Sequence, residues 1–168
     1  MSISLVRGLN HMAWANQEVL KSVAKLPDAS LNSYLTNPEW TVAKIISHIC
    51  SAASWYVHRL EKGELVGIPA LNKSSDVLVL AQLQNNLDRK LIEASSAEDR
   101  ELTYVYQKTG ERVTRWYSTI LAQSVHHATE HRAQLVDALE FNGYQIIDLD
   151  ELDLWAFDIY ERNQKSKA

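Results

Sequence analysis

The sequence predicts an all-α fold, a four-helix bundle with a short β-hairpin before its fourth helix and one further helix at the C-terminal end. Glycine and proline, which interrupt helices, number only 5 and 3 in the 168 residues. Four long stretches place apolar side chains at helical spacing, and turn-forming or polar segments separate them. Four long amphipathic helices are typical of a bundle that encloses one core.

The first two helices are predicted from apolar spacing and from the residues at their ends. The first covers about residues 4–25, before Pro27, and its apolar side chains are Leu5, Leu9, Met12, Val19 and Val23. The segment "TNPEWT" at 36–41 predicts a turn, and Thr41 is the expected N-cap of the second helix. That helix is expected to run to about Lys62.

A loop, a third helix and a hairpin are expected next. Two glycines and a proline predict a loop over residues 63–74, and the third helix is expected over about 75–95. The segment "LTYVYQKTGERVTRWY" at 102–117 is β-branched and aromatic on both sides of Thr109-Gly110. This pattern predicts a short hairpin that turns at these two residues.

The fourth helix is the longest, and a short helix follows it. Ser118 is the expected N-cap, and Gly143 marks the C-terminal stop. The last helix is expected over about 150–162, with the carboxylates of "DLDELD" capping it and complementing its dipole. The tail "NQKSKA" at 163–168 is predicted to be frayed.

The composition predicts one domain over residues 1–168 and excludes several classes of protein. A net charge of −4 argues against the large basic face that nucleic-acid binding requires, so a DNA-binding role ranks third among the functions considered. No apolar stretch approaches the roughly 20 residues of a membrane span, and the N-terminal segment lacks the apolar core of a signal peptide. Cys50 is the one cysteine and cannot form an internal disulfide. We therefore expect a cytoplasmic protein that binds neither membranes nor nucleic acid.

The segment "SVHHATEHRAQL" at 124–135 holds three of the six histidines and lies on the predicted fourth helix. His127 and His131 are four residues apart, so both rings can reach one ion. Ser124, Leu135 and Ala138 extend their face, which indicates that it turns toward the core. His126 is rotated by about 100° and is predicted to pair with Glu130 on the outer face.

A metal site open to a ligand usually has three protein ligands, so a third residue is needed. The remaining histidines are His11, His48 and His58. The face of His48 carries Ile45, Ala52 and Trp55, and a buried imidazole needs a hydrogen-bond partner or a metal. A hydrogen-bonded core histidine is the alternative interpretation, but the pair on the fourth helix favours metal binding.

The other candidates receive simpler interpretations. His58 is expected to be solvated, and the pattern does not place His11. Cys50 is expected to be a small core residue. The tryptophans expected as core or pocket wall are Trp14, Trp40 and Trp55.

The segment "HATEH" at 127–131 also matches H-x-x-E-H, the signature of inverzincin proteases. Those enzymes need a further acidic ligand far downstream, and only 37 residues follow His131. The protease interpretation is therefore disfavoured.

Four segments together resemble the DinB-like family, whose superfamily includes bacillithiol- and mycothiol-dependent S-transferases. The segments "NHMAWANQEVL" and "EWTVAKIISHI" resemble its first two helices. "HHATEHRAQL" resembles its His-x-x-x-His-Arg signature, and "LDLWAFDIYER" resembles its closing helix. The likeness covers nearly the whole chain, although Ala133 stands where the family usually has glycine.

The resemblance implies an up-down-down-up bundle with His48, His127 and His131 as metal ligands near one end of the core. It implies a divalent ion (zinc, nickel or iron), a pocket wall from loop 63–74 and, for some members, a low-molecular-weight thiol. A homodimer acting on a small molecule is also implied. The function expected is a metal-dependent enzyme, a thiol S-transferase or a related hydrolase. The alternative is a stress-associated metal-binding or partner-binding protein without turnover. No catalytic base is predicted, because Glu130 is expected to face outward.

Overall fold

The chain is mostly helical, as predicted, and carries one small antiparallel sheet. The computed structural model describes residues 4–106, 108–145 and 147–166. The elements are α1 (Val6–Val23), α2 (Val42–Glu61), α3 (Val77–Ala94), β1 (Glu101–Val105), β2 (Arg112–Trp116), α4 (Tyr117–Phe141) and α5 (Leu154–Lys165). Short 3₁₀ turns lie at Asp28–Asn32, Ser74–Asp76 and Leu149–Leu152. No helix in the described part of the chain is long and apolar enough to cross a membrane.

The predicted N-cap of α2 is confirmed. The Thr41 hydroxyl accepts a hydrogen bond from the backbone N–H of Lys44, at 3.3 Å. This bond satisfies one of the N–H groups that the first turn of a helix leaves unpaired. The cap fixes the start of α2, and with it the face on which His48 lies.

The predicted N-cap of α4 is wrong. The helix begins at Tyr117, and Ser118 lies inside its first turn. The backbone N–H of Ser118 donates to Asp99 Oδ1 at 2.9 Å, and its hydroxyl donates to Asp99 Oδ2 at 2.8 Å. A carboxylate 19 residues upstream therefore caps the helix, because the hairpin brings the two segments together.

The last helix is shifted from its predicted position. Asp153 is the N-cap and accepts from the N–H of Ala156 at 2.7 Å, so α5 begins at Leu154. Residues 149–152 form a 3₁₀ turn that Asp148 caps through the N–H of Asp150. The carboxylate run thus caps two short elements in place of one. The helix extends to Lys165, so residues 163–165 are helical and the prediction of a frayed tail is wrong for them. Residues 167–168 lie outside the described residues.

The hairpin and the end of α4 agree with the sequence predictions. β1 and β2 pair antiparallel, with Thr103 opposite Thr114. Gly110 in the turn has φ of +74°, and Gly143 after α4 has φ of +82°. Both values lie in the left-handed region that glycine adopts without strain.

The long helices pack in a specific set of pairs. α1 contacts α3 and α4, and α2 also contacts α3 and α4. Apolar side chains form two buried clusters, and the predicted core positions Leu9, Met12, Val19 and Val23 are at most 1% exposed. The pairing of α2 with α4 brings the predicted metal-binding histidines together.

Candidate metal centre

Three histidines from two helices meet at one point. His48 lies on α2, and His127 and His131 lie one turn apart on α4. One ring nitrogen from each can be chosen so that all three lie within 4.8 Å of one another. The ring centroids are 4.8 Å apart for His48 and His127, 4.6 Å for His48 and His131, and 4.3 Å for His127 and His131. The structure thus brings together the three residues that the sequence pattern selected.

The chemistry and spacing of the donors fit a divalent ion. Imidazole nitrogens bound to one tetrahedral zinc ion lie about 3.3 Å apart, given Zn–N distances of about 2.0–2.1 Å. His48 Nε2 and His127 Nε2 are 3.0 Å apart, close to this value. All three side chains are half-buried, so they are held by the protein and remain reachable from solvent. The group is therefore positioned to bind a metal ion.

The surroundings keep two of these imidazoles neutral. Burial, together with positive charge on His131 and His48, lowers the pKa of His127 to about 4. Burial also lowers the pKa of His48, with smaller effects from His131, Lys44 and Lys108. Only a neutral imidazole has a lone pair for a metal, so both groups are ready to bind an ion at neutral pH.

Gln134 and Trp40 orient His131. His131 Nδ1 donates to Gln134 Oε1 at 2.8 Å, because an amide oxygen can only accept. Trp40 Nε1 donates to the same oxygen at 3.1 Å. The bond occupies Nδ1 of His131 and leaves the lone pair of Nε2 free for a metal. Metal-binding histidines commonly have such a hydrogen-bond partner on their other nitrogen.

The orienting role of these two residues was not predicted. Trp40 was expected only as core or pocket wall, and its ring centroid lies 5.1 Å from that of His48. Gln134 lies three residues after His131, which places it on the neighbouring turn of the same face. That spacing was the available signal for Gln134.

The remaining histidines lie apart from this group. His126 is exposed and, among the described residues, forms no ion pair or hydrogen bond with Glu130, so that predicted pair is absent. His58 Nδ1 contacts the backbone oxygen of Gly63 at the end of α2. His11 is buried, and its Nε2 donates to the backbone oxygen of Leu152 at 2.6 Å. His11 is therefore a hydrogen-bonded core residue.

A cavity of about 470 Å³ opens beside the histidines. His48 and His127 line it together with Trp55 from α2 and with Tyr106 and Lys108 from the hairpin turn. Loop 63–74 was expected to form a wall of this cavity, but it contributes none of the described lining residues. Ile68 of that loop lines a smaller cavity of about 260 Å³ on another side of His48. The hairpin turn, which was not predicted to contribute, forms the wall of the larger cavity.

Cys50, Trp14 and Trp55 agree with their predicted roles. Cys50 is fully buried, and burial raises the pKa of its thiol to about 12. Trp55 lines the cavity beside the histidines, and Trp14 lines a separate groove between α1 and α5.

Comparison with known proteins assigns the family. No curated protein and no solved structure matches the chain significantly. The family model described as "DinB family" matches residues 1–163, which is nearly the whole chain and includes all three clustered histidines. The chain therefore belongs to the DinB family.

Proposed function

We propose that this protein is a metal-dependent enzyme that binds a divalent ion through His48, His127 and His131. The observation that supports this most is their convergence within 4.8 Å at the edge of an open cavity. Three protein ligands and one open position are the pattern of catalytic sites, whereas structural zinc sites are usually closed by four protein ligands. Imidazole suits zinc, nickel and iron, so any of the three fits this donor set.

The proposed reaction class is thiol S-transfer or a related hydrolysis. A divalent ion bound here would supply Lewis-acid activation of a thiol or a water molecule at neutral pH. The chain itself supplies neutral imidazoles, a fixed orientation of His131 through Gln134, and a cavity that can hold the second reactant. No carboxylate lies among the described residues that line the cavity. Glu130 is exposed on α4, and we assign it no role as a base.

We extend the proposal to the domain organisation, the helix arrangement and the oligomeric state of the protein. We infer one domain over residues 1–168, with α1–α4 as an up-down-down-up bundle, from the packing of α1 and α2 against both α3 and α4. We also propose a cytoplasmic homodimer. Its support is the apolar surface of α5, where Trp155 is 82% exposed and Ile159 is 61% exposed. Light scattering at tens of micromolar protein should give the mass of two chains, and the mass of one chain would exclude the dimer.

A zinc titration tests the metal site. Metal-free protein should bind one zinc ion per chain in calorimetry. His127→Ala removes a ligand itself, so it should weaken binding by more than the roughly 10–100-fold that loss of a ligand's hydrogen-bond partner costs. The matched control is His58→Ala, which removes a histidine of α2 outside the cluster and should bind zinc as the unchanged protein does. Equal affinity in His127→Ala and in the unchanged protein would place the ion elsewhere.

An activity screen tests the reaction. Zinc-, nickel- and iron-loaded samples should accelerate the reaction of a low-molecular-weight thiol with 1-chloro-2,4-dinitrobenzene or the hydrolysis of a small ester. The triple variant His48→Ala, His127→Ala, His131→Ala should lose this acceleration. A protein that binds zinc stoichiometrically and accelerates neither reaction would contradict the proposed reaction class but leave the metal site intact.

A further inference from the structure

The cavity beside the three histidines has a one-sided charge. Its charged lining residues are Arg59 on α2 and Lys108 in the hairpin turn, and the described lining residues include no aspartate or glutamate. The chain as a whole has a net charge of −4, so the positive charge of this cavity is a local feature that differs in sign from the net charge of the protein. A low-dielectric cavity focuses the field of such charges and favours an anionic ligand.

Arg59 is held in place without a carboxylate partner. Its guanidinium lies over the ring of Tyr104, 4.7 Å from the centroid, and over the ring of Trp55, at 5.6 Å. Among the described residues, no ion pair involves Arg59. A guanidinium whose flat faces rest on aromatic rings keeps its N–H edges available, and those edges match a carboxylate in a bidentate pair.

Lys108 supplies a second positive charge from the hairpin. It lies in the turn between β1 and β2 and lines the same cavity as Arg59 and His48. Its side chain is exposed, so it can move to meet a ligand in the cavity. The two cations therefore come from different elements, one stacked on aromatic rings and one exposed to solvent.

The remaining walls suit a flat apolar body. Trp55 and Tyr56 from α2 and Tyr106 from the hairpin turn present aromatic rings to the cavity. Its volume, about 470 Å³, lies in the range of pockets that hold small organic ligands. Arg59 follows His48 by 11 residues on α2, which is roughly 16 Å along the helix axis. The stacked guanidinium and the histidines therefore lie at different ends of the cavity.

We propose that this cavity binds an elongated small molecule with an aromatic body and a carboxylate. The carboxylate pairs with Arg59, assisted by Lys108, and the opposite end of the molecule faces His48 and His127. This inference rests on the proposed function, since it assigns the substrate class of the same site. Its test depends on Arg59, which does not belong to the metal-binding group, so it can be carried out without turnover.

The test compares two ligands of equal shape and different charge. Ligand-observed NMR with the full chain, with and without zinc, should show saturable binding of 2-naphthoate with Kd of about 1 mM or tighter. The neutral analogue 2-naphthamide should bind at least about tenfold more weakly, because a hydrogen bond to an ion is stronger than one between neutral groups.

Paired variants locate the carboxylate. Arg59→Met should weaken 2-naphthoate binding at least about tenfold and leave 2-naphthamide nearly unchanged. Arg59→Lys should recover only part of the loss, because a lysine lacks the planar fork. The matched control is Arg89→Met, which removes an exposed arginine of α3 outside the cavity and should leave both ligands unaffected. Thermal unfolding of each variant establishes that it is folded before ligand is added.

Two results would overturn the proposal. One is equal affinity for 2-naphthoate and 2-naphthamide, and the other is an equal loss in Arg59→Met and Arg89→Met. If the metal site were wrong and this proposal right, zinc would not bind to the protein. 2-Naphthoate would still bind more weakly to Arg59→Met than to the unchanged protein.

Discussion

Two polar clusters lie inside this mostly helical chain, and they differ in how their hydrogen-bonding groups are used. One is the histidine cluster, His48, His127 and His131, whose members are half-buried. The other is the buried network, formed by Asn16, Gln84, Asp88 and Arg132, each at most 4% exposed. His131 and Arg132 are adjacent on α4, so one helix supplies members to both clusters.

The buried network pairs its polar groups internally. Asn16 Nδ2 donates to Asp88 Oδ2 at 2.9 Å, and Gln84 Nε2 donates to Asp88 Oδ1 at 2.7 Å. Arg132 Nη1 donates to Asn16 Oδ1 at 2.7 Å. Among the described atoms of the network, Gln84 Oε1 is the one buried side-chain acceptor without a partner. These bonds connect α1, α3 and α4 and place a cation near a carboxylate in the core.

The histidine cluster is arranged in the opposite way. Two of its imidazoles face each other through Nε2 at 3.0 Å, and only one of the two can donate in that contact. The outward bond of His131 to Gln134 leaves its second nitrogen facing the cluster. A polar cluster whose groups satisfy one another stabilises the fold. A cluster that directs lone pairs to one point beside a cavity is prepared for a ligand.

The sharpest test of this contrast is Arg132→Met, which should have the largest effect on stability. It removes the donor to Asn16 Oδ1 and the cation whose charge acts on the buried Asp88 carboxylate. Leaving a buried charge uncompensated typically destabilises a protein by about 3–5 kcal/mol. Urea unfolding of metal-free protein measures the free energy of unfolding. His127→Ala is the matched variant in the histidine cluster and should lose far less stability in the absence of metal. A smaller loss in Arg132→Met than in His127→Ala would reverse the roles assigned to the two clusters.

Asp88→Asn should change how the free energy of unfolding depends on pH. Burial raises the pKa of Asp88 from 3.8 to about 6, although hydrogen bonds from Asn16 and Gln84 and the charge of Arg132 act against this. The folded protein therefore binds the proton more tightly than the unfolded chain. The resulting stabilisation is fully present below pH 3.8 and is lost as the pH rises through about 6.

The measurement is the free energy of unfolding of both proteins from pH 4 to pH 7. The amount by which the unchanged protein exceeds Asp88→Asn in stability should shrink by about 2 kcal/mol over this range. The control Asp137→Asn changes an exposed carboxylate of α4 and should show no comparable trend. A difference that stays constant or grows with pH would show that Asp88 remains charged in the folded protein throughout.

Gln134→Leu removes the hydrogen-bond acceptor of His131 and should weaken metal binding. Without Gln134 Oε1, Nδ1 of His131 loses its acceptor and the ring loses its fixed orientation. Loss of a hydrogen-bond partner of a metal-binding histidine typically weakens metal binding by about 10–100-fold. Zinc calorimetry measures this, with Gln82→Leu on α3 as a matched control of exposed position. Unchanged affinity in Gln134→Leu would show that the hydrogen bond does not orient the ligand.

The histidine cluster was predictable because its signals are local. His127 and His131 have helical spacing on one face, and the apolar neighbours of His48 indicate that it faces inward. Thr41 sets the start of α2 by a local cap, so the phase of that helix follows from nearby residues. The sequence therefore predicted which three imidazoles meet, and their metal remains a proposal.

The features that escaped prediction depend on contacts between distant residues. Asp99 replaces Ser118 as the cap of α4 because the hairpin brings it there, and no local pattern indicates that. The bond between Asn16 and Asp88 joins residues 72 positions apart, so its members look like ordinary polar side chains in the sequence. The cavity wall formed by Lys108 likewise depends on where the hairpin packs.

The smallest expected effect is that of His126→Ala, and it tests the helical phase on which the site depends. His126 precedes His127, yet one residue along a helix is a rotation of about 100°, and the His126 side chain is exposed. Zinc stoichiometry and affinity should both match those of the unchanged protein. Stability should also stay within about 0.5 kcal/mol, as for most surface substitutions. Calorimetry on His126→Ala and His127→Ala, purified in parallel, compares neighbouring histidines of the same helix. Lost zinc binding in the first together with retained binding in the second would mean that α4 presents the other histidine of the pair to the ion.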